Sequence, residues 1–292
     1  MITAATLSTP ARRISYRVFL YLTCTVLAAM FATPFFWAVS TSLKDAGSIY
    51  VDPPQWIPNP IVLWNYVQAM QLVPFHVYFQ NTIVITVLAG IGRVFVSSVI
   101  AYGFARFRFP GRDLLFVILL GTMMIPDQVL IVPRFLLFNL LGWVNTFLPL
   151  IVPAFFGATP FMIFLGRQFL MTLPRELDEA AEVDGAGPVT IFIRVLLPLA
   201  KPFLATAAIL SFQGDWNAFL PPLVYLQNQT KYTIALGLRY VSGLSGGEGM
   251  AGLPMDHLIM AASITALLPV VVIFLVFQKY FVRGIVMSGI KG

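Results

Sequence analysis

The sequence predicts an all-α integral membrane protein with six transmembrane helices and both termini in the cytoplasm. Of its 292 residues, 59% are hydrophobic and only 10% are charged, whereas soluble domains carry roughly 25% charged residues. The apolar residues form long runs, each sufficient for the ~20 residues that a bilayer-crossing helix requires. Basic residues gather on alternate connecting segments. These three observations define the predicted fold class.

The first predicted span is residues 18–42, an uncharged run preceded by Arg12, Arg13 and Arg17. A signal peptide is the alternative, but its apolar region would cover about 7–15 residues and end at a small-residue cleavage site. This run is longer and lacks a clean site, so we expect the span to be retained. Residues 43–75 are rich in proline and polar residues, and Trp56 and Trp64 suit an interfacial position. This composition favours a loop at the membrane surface.

The later predicted spans are residues 77–105, a run from 114 to about 127, the end of 135–166, 203–226 and 258–277. The second span contains one charge, Arg93, and the third meets Asp127 near its end. Residues 135–166 are uncharged but broken by Gly142, Asn145, Pro149 and Pro153. This pattern predicts a re-entrant or surface segment, then a fourth span that ends near Gly166. The fifth span is interrupted by Gly-Asp-Trp-Asn at 214–217.

The distribution of basic residues sets the orientation. Of the 18 lysines and arginines, thirteen lie on segments that this topology puts inside, and Arg93 lies within a span. The four on outer segments are Lys44, Arg134, Lys231 and Arg239. Cytoplasmic loops carry the excess of Lys and Arg in membrane proteins, so the N-terminus is predicted inside. Residues 174–202 are then cytoplasmic.

That segment contains a concentration of charged residues that the rest of this apolar chain lacks. Its sequence is PRELDEAAEVDGAGPVTIFIRVLLPLAKP. Pro174 suits the first turn of a helix. Successive residues of a helix are 100° apart, which puts an apolar stripe on one side and an acidic arc on the other. The stripe comprises Leu177, Ala180 and Ala181. The acidic arc comprises Glu176, Asp178, Glu179 and Glu182.

The helix should end at Gly185, because Gly-Ala-Gly-Pro permits a left-handed cap and a restart at Pro188. A second amphipathic helix is predicted from there, with Ile191, Phe192 and Val195 on one face. Pro198 and Pro202 would then break the helical run. The prediction is a helix, a glycine turn and a second helix.

Three interpretations fit a helix, a turn and a helix. A DNA-reading motif is disfavoured, since phosphate binding needs Lys and Arg, and this segment lies between two spans. An inert connector is the second. The third is a docking surface, which is favoured because five of the chain's twelve carboxylates fall within nine residues there.

The segment resembles the signature loop of permease subunits of bacterial binding-protein-dependent ABC importers. The family pattern is Glu-Ala-Ala, Gly, an aliphatic residue and Leu-Pro at fixed spacing. Here Glu179, Ala180, Ala181 and Gly185 match its first half, and Pro198 closes the second. Val195 stands where the family usually has isoleucine. The segments IPDQVLIVPRF, LGWVNT, FQGDWNAFLPPLVYL and YFVRGIVMSGIKG resemble the carbohydrate-uptake branch, and within it the shorter of two paired permeases.

The resemblance implies the type I permease fold of ABC importers in the bacterial inner membrane. It divides the chain into residues 1–75, a core at 76–282 and a cytoplasmic tail at 283–292. It also implies a second permease subunit, two ATPase subunits that bind the ATP, and an extracytoplasmic sugar-binding protein. The implied contacts with the ATPase are Leu177, Glu179, Ala180, Ala181, Asp184, Gly185 and Pro198.

Several motifs are missing from the sequence. It contains no G-x-x-x-x-G-K-[ST] phosphate loop, no G-x-S-x-G nucleophile elbow, and only two histidines. We therefore expect no enzymatic activity, no metal site and no cofactor in this chain. The basic residues are not clustered on one segment, so we also expect membrane lipid and not nucleic acid around it.

The candidate substrate-path residues are Arg93, Asp215, Trp216 and Asn217. Charges inside the membrane are costly and usually face a bundle interior or an aqueous cavity. Arg93 and Asp215 could equally be snorkelling or structurally paired residues. Trp216 and Asn217 could bind sugar, or could anchor and bend the helix.

The predicted function is a permease subunit of an ATP-driven importer of mono- or oligosaccharides. The alternative within this class is another cargo, such as a phosphorylated polyol or an oligopeptide. Outside it, a secondary transporter would need inward-facing carboxylates and inverted repeats, and we find only Asp127 and Asp215 and no repeat. A non-transporting membrane scaffold is the other alternative.

Overall fold

The structure, a computed structural model, describes residues 10–156, 159–245 and 255–289. All regular elements in these ranges are helical, as the composition predicts. The predicted cytoplasmic segment at 1–9, most of the glycine-rich loop before the last span, and the final three residues lie outside the described residues.

The helices in chain order are α1 Pro10–Ser42, α2 Trp64–Leu72, α3 Phe75–Arg106, α4 Arg112–Gly121, α5 Ile131–Leu140, α6 Leu148–Ile151, α7 Pro153–Phe156, α8 Pro160–Thr172, α9 Glu176–Val183, α10 Pro188–Thr190, α11 Leu197–Leu199, α12 Lys201–Trp216, α13 Leu220–Tyr225, α14 Ile234–Ser245 and α15 Asp256–Gly289. A π-helical turn, Ile191–Leu196, joins α10 to α11.

Within the described ranges, four helical segments are long and apolar enough to cross a membrane. They are Ile14–Ser42, Phe75–Arg106, Leu148–Thr172 and Asp256–Val276. A fifth candidate is the bent pair Pro188–Leu199 and Lys201–Trp216, whose axes meet at 80°. The apolar side chains of α1 from Ile14 to Phe36 are all exposed in the single chain, as expected for a helix surrounded by lipid or partner.

The third predicted span is wrong as a continuous helix. Helix α4 ends after ten residues, and a 3₁₀ turn, Thr122–Met124, follows it. The next helix, α5, begins only at Ile131. Pro126 explains part of the break, since the residue before a proline avoids helical dihedral angles, and Ile125 is extended.

The fourth and fifth spans also differ in detail. The fourth extends to Thr172 rather than ending near Gly166. In the fifth, Gly214, Asp215 and Trp216 are still helical, and α12 ends at Trp216. The predicted interruption therefore begins at Asn217, three residues later than expected.

The chain divides into two compact units. The smaller comprises Met1–Leu72 with Ser242–Thr265, and the larger comprises Val73–Val241 with Ala266–Gly292. In the smaller unit, the side-chain amide of Asn65 donates to the carbonyls of Ser42 and Lys44 at 2.9 and 2.7 Å. These two bonds secure α2 to the end of α1.

The larger unit is built around α3, which packs against α7, α8 and α12. Gly166 marks the closest approach of these helices: a Cβ there would lie 2.8 Å from the Cβ of Ala101 and 2.6 Å from Cζ of Phe203. Only glycine lets α8 lie this close to its neighbours. A buried cluster that includes Tyr102, Leu170, Phe192 and Phe203 surrounds this crossing. Residues of the segment 174–202, among them Ile191 and Leu196, belong to this cluster and pack the segment against the bundle.

Candidate functional site: the acidic loop and an ion pair between helices

The first arm of the loop, α9, ends in the predicted glycine turn. Gly185 has φ of +81°. Its N–H donates to the carbonyl of Glu182, and the N–H of Ala186 donates to the carbonyl of Ala181, both at 2.9 Å. This pair of bonds is the Schellman motif, which satisfies the last carbonyls of a helix. The prediction of a left-handed turn at Gly185 is confirmed.

The outer surface of the loop is acidic. Four carboxylates are exposed: Glu176, Glu179, Glu182 and Asp184. Asp178, which we expected on the same arc, instead faces the bundle and pairs with Arg106, with Nε to Oδ2 at 3.0 Å. The reason is that Asp178 and Ala181 are three residues apart and share a helix face, and Ala181 packs on the buried cluster.

The predicted apolar stripe is therefore divided. Ala181 is half-buried against the cluster, whereas Leu177 and Ala180 are exposed. Leu177 and Ala180 form, with the four exposed carboxylates, a surface that we call the acidic face. Nothing in the described chain covers these side chains.

The second arm begins at Pro188, as predicted, but continues as a π-helical turn rather than an α-helix. Ile191, Phe192 and Leu196 are buried, and Val195 is half-buried. Pro198 is exposed and lies in α11. Because proline lacks an N–H and its ring conflicts with the carbonyl four residues earlier, a wider turn before Pro198 avoids that conflict. The helical run breaks at Ala200, between the two prolines that were expected to break it, because Pro198 and Pro202 each lie within the first turn of a helix.

Arg93 and Asp215 form a bidentate ion pair between α3 and α12. Arg93 Nη1 donates to Asp215 Oδ2 at 2.8 Å, and Nη2 donates to Oδ1 at 2.9 Å. Nη1 also donates to Ser211 Oγ at 2.9 Å. The side chains are 21% and 13% exposed. Of the two earlier alternatives, this geometry is that of paired residues and not of snorkelling ones.

Trp216 and Asn217 have different surroundings. Trp216 is 3% exposed, stacks on Phe212 with centroids 5.2 Å apart, and donates its indole N–H to the carbonyl of Ala266 at 3.2 Å. Asn217 is exposed, and its amide donates to the carbonyl of Gln213 at 2.9 Å. The tryptophan holds the end of α12, and of the two side chains only that of the asparagine is exposed.

Sequence reasoning assigned no site role to Arg106 or Tyr102. Arg106 is one of the thirteen basic residues on inner segments, and Tyr102 lies within the second predicted span. Asn145, expected only to break residues 135–166, has φ of +60° and accepts N–H bonds from Gln227 and Asn228 at 3.2 and 3.1 Å. An asparagine within a turn is the one available signal, since asparagine tolerates left-handed dihedral angles.

The described residues contain no group of three or more His, Cys, Asp and Glu side chains that could hold a metal ion. The residues of the candidate site offer charged surfaces and hydrogen bonds. The acidic face can bind a basic protein surface. The ion pair can hold two helices together within the membrane.

Comparison with known proteins agrees with this arrangement. Residues 94–287 match the family model described as binding-protein-dependent transport system inner membrane component. The arabinooligosaccharides transport system permease protein AraQ of Bacillus subtilis (strain 168) is 32% identical, over 95% of this chain and 96% of that protein. The sn-glycerol-3-phosphate transport system permease protein UgpE of Yersinia pestis is 34% identical, over 86% and 88%.

A solved structure has the same fold. It is a chain of a bacterial ABC transporter involved in the import of the acidic polysaccharide alginate, with a TM-score of 0.78 and 23% identity. The match covers 94% of this chain and 99% of that one. The chain thus belongs to the binding-protein-dependent transport system inner membrane components, which are ABC importer permeases and not enzymes.

Proposed function

We propose that this chain forms half of the translocation path of an ATP-driven sugar importer and is coupled to ATPase subunits through residues 174–202. The single observation that carries the coupling role is the exposed acidic face of α9, held outward by a loop whose other side is packed on the bundle. A helix supported on one side and charged on the other is suited to transmit force from a docked protein.

The proposed contacts with the ATPase subunits are Leu177, Glu179, Ala180, Ala181, Asp184 and Gly185, with Pro198 shaping the second arm. The exposed carboxylates would pair with basic residues of the partner, which gives orientation and association rate more than raw affinity. Ala181 and Gly185 would act by shaping α9, since Ala181 packs inward and Gly185 forms the turn.

The remaining partners are a second, different permease subunit, two ATPase subunits that bind the ATP, and an extracytoplasmic sugar-binding protein. The family description supports the binding protein. The missing phosphate loop supports ATP binding by other subunits. The exposed apolar surface of α1 supports burial in lipid or against the second permease.

The proposed topology has six spans and cytoplasmic termini. The spans would be α1, α3, the broken segment α4–α5, residues 148–172, α12 with α13, and α15. The excess of basic residues on the inner segments supports this orientation. The division into residues 1–75, a core at 76–282 and a tail at 283–292 is proposed with it.

In the proposed mechanism, ATP binding draws the ATPase subunits together and displaces the docked α9. The loop carries the bundle with it, and the cavity then opens outward to receive cargo from the binding protein. The docked α9 and the cargo cavity are thus coupled, because the helical bundle between them has two arrangements, one open inward and one open outward. Its energy comes from differential binding of the ATPase subunits to those two arrangements.

For cargo, carbohydrate is the first proposal, because relatives include a permease for arabinooligosaccharides. A phosphorylated polyol is the second, because UgpE is named for sn-glycerol-3-phosphate. Uptake of labelled oligosaccharide and of labelled sn-glycerol-3-phosphate, with the matching binding protein, separates the two.

The central test uses purified chain reconstituted with and without its partners. The chain alone should not hydrolyse ATP. Hydrolysis should appear with the ATPase subunits and second permease, and binding protein loaded with cargo should stimulate it. Hydrolysis by the chain alone would contradict the proposal. Uptake that persists without ATPase subunits would instead indicate a secondary transporter.

We also propose that Asp215, Arg93 and Asn217 lie at the external end of the path, with Trp216 supporting them. Cys24 is the only cysteine and is exposed, so the test needs a Cys24→Ser background. Asn217→Cys should react with a small hydrophilic thiol reagent at a rate that cargo changes, and Trp216→Cys should react far more slowly. If Asn217→Cys reacts at the same rate with and without cargo, residue 217 does not lie on the path.

A further inference from the structure

The cytoplasmic end of α3 contacts the first arm of the acidic loop. Arg106, the last residue of α3, pairs with Asp178 of α9 at 3.0 Å, and the two side chains are only 8% and 15% exposed. Arg106 Nη2 also donates to the carbonyl of Leu173 at 3.1 Å. One guanidinium therefore holds both α9 and Leu173, the residue that follows α8.

The same end of α3 contacts the second arm. Tyr102 lies one turn before Arg106, so the two side chains share a face of the helix. Its hydroxyl donates to the carbonyl of Pro188 at 3.1 Å, and its ring stacks on Phe192 with centroids 4.9 Å apart. Both arms are thus fixed to two successive turns of one helix, and the Schellman turn at Gly185 joins them.

Helix α3 also reaches the other proposed site. Arg93, which holds Asp215, precedes Arg106 by thirteen residues, or about 20 Å along a helix. Displacement of the acidic loop would therefore move α3 and, through the ion pair, the far end of α12.

We propose that Arg106 and Asp178, with Tyr102 beside them, form the link through which α9 moves α3 as one body. This inference rests on the proposed coupling function and assigns positioning roles to three residues outside the motif. The physical reason is that a link must keep α9 and α3 in a fixed relative orientation in order to transmit a displacement. Apolar contacts allow a helix to rotate or slide, whereas α9 is held at Arg106 by a close and mostly buried contact between opposite charges. The guanidinium is itself fixed by its hydrogen bond to the carbonyl of Leu173. Without the pair, a push on α9 would be lost as movement of the loop over the bundle.

The alternative is that the pair only stabilises the fold. The two roles predict different ratios of cargo taken up to ATP hydrolysed, so this ratio is the quantity to measure. A stability defect lowers uptake and ATP hydrolysis in proportion, because fewer complexes are intact. A coupling defect leaves intact complexes that hydrolyse ATP without moving cargo.

The experiment uses the complete importer in proteoliposomes, with both permeases, ATPase subunits, binding protein and labelled cargo. Asp178→Asn and Arg106→Gln should each lower the cargo taken up per ATP hydrolysed by about five-fold or more. The double variant should be no worse than either single variant. The matched control is Asp113→Asn, which neutralises the exposed ion pair with Arg112 and should leave the ratio unchanged. A proportional fall of uptake and hydrolysis would overturn the proposal.

A second measurement covers the case in which these variants do not assemble. The variant Arg106→Cys with Asp178→Cys, in the Cys24→Ser background, is cross-linked with a short bifunctional thiol reagent. If the loop and α3 move as one body, the cross-linked importer should transport better than the same variant without cross-linking. Loss of uptake on cross-linking would mean that the loop slides over α3 and that the inference is wrong. If the wild-type importer shows no ATP-driven uptake, the proposed function fails instead.

Discussion

The guanidinium of Arg93 holds both carboxylate oxygens of Asp215, at 2.8 and 2.9 Å, across the interface between α3 and α12. The two residues are 122 positions apart in the chain. Each is a charged residue within an otherwise apolar part of its helix. Their pairing removes the cost of isolated charges in the membrane and fixes the register of the two helices.

The first prediction concerns this pair. Asp215→Asn leaves the Arg93 charge without its counterion, and removing one partner of a buried pair costs about 3–5 kcal/mol. We expect the low end, since Arg93 keeps about a fifth of its side chain exposed. The change should lower the thermal denaturation midpoint of the detergent-solubilised complex. The double variant Arg93→Gln with Asp215→Asn should lose less than the two single losses together.

The control is the pair of Arg134 and Asp127, whose side chains are 48% and 83% exposed. Exposed pairs contribute about 0–1 kcal/mol, so Asp127→Asn should shift the midpoint little. Strictly additive losses at Arg93 and Asp215 would show that the two side chains do not interact in solution.

The second prediction concerns the turn at Gly185. A Cβ at this position would meet no atom within 4 Å, so a substitution is penalised only through the backbone. Left-handed dihedral angles cost an ordinary residue about 1–2 kcal/mol, and asparagine tolerates them best. Gly185→Val should therefore uncouple cargo from ATP hydrolysis while membrane insertion stays normal, and Gly185→Asn should retain most coupling. Equal behaviour of the two variants in the cargo-stimulated ATPase assay would rule out a role for the turn.

The third prediction concerns the acidic face. Glu179→Lys puts a positive charge where basic residues of the ATPase should dock, and should weaken association about ten-fold, or ~1.4 kcal/mol. A charge reversal on the partner should restore part of the loss. Pull-down of the ATPase subunits at several concentrations measures it.

Asp52→Lys is the matched control for Glu179→Lys, because it makes the same change of charge at an exposed position. Asp52 lies in the loop between α1 and α2. It should leave ATPase binding unchanged. If Glu179→Lys binds the ATPase as tightly as this control, the acidic face is not the docking surface.

The fourth prediction concerns a contact between the loop after α1 and the first residue of α15. The hydroxyl of Tyr50 donates to Asp256 Oδ2 at 2.6 Å. This hydrogen bond, together with the negative charge of Asp256, raises the pKa of Tyr50 above its ordinary value of 10.0. The contact is therefore complete below pH 10 and is lost as the pH rises through the raised pKa.

The measurement is the tyrosinate absorbance difference between the protein and a Tyr50→Phe variant as the pH rises. Asp256→Asn should move the titration of Tyr50 down toward its ordinary pKa. An unchanged titration in Asp256→Asn would mean that the two side chains are apart in solution.

The sequence by itself determined the features that depend on neighbours in the chain. Apolar runs of sufficient length predicted a helical membrane protein, because only an internally hydrogen-bonded helix or a closed barrel can cross a bilayer. Gly-Ala-Gly-Pro predicted the turn at Gly185, since the left-handed conformation is decided by a single residue type. The Glu-Ala-Ala motif led to the family before any geometry was known.

Only the tertiary structure decided which side chains meet. Helical periodicity put Asp178 and Glu179 on neighbouring positions of one acidic arc, but it could not tell which would face the bundle. That choice depended on Arg106, 72 residues away, and on the cluster beneath α9. Three other features were likewise decided by the tertiary structure: the pairing of Arg93 with Asp215, the burial of Trp216 and the break after α4. Each results from packing between distant segments, whose free energy is set by contacts that a local pattern does not contain.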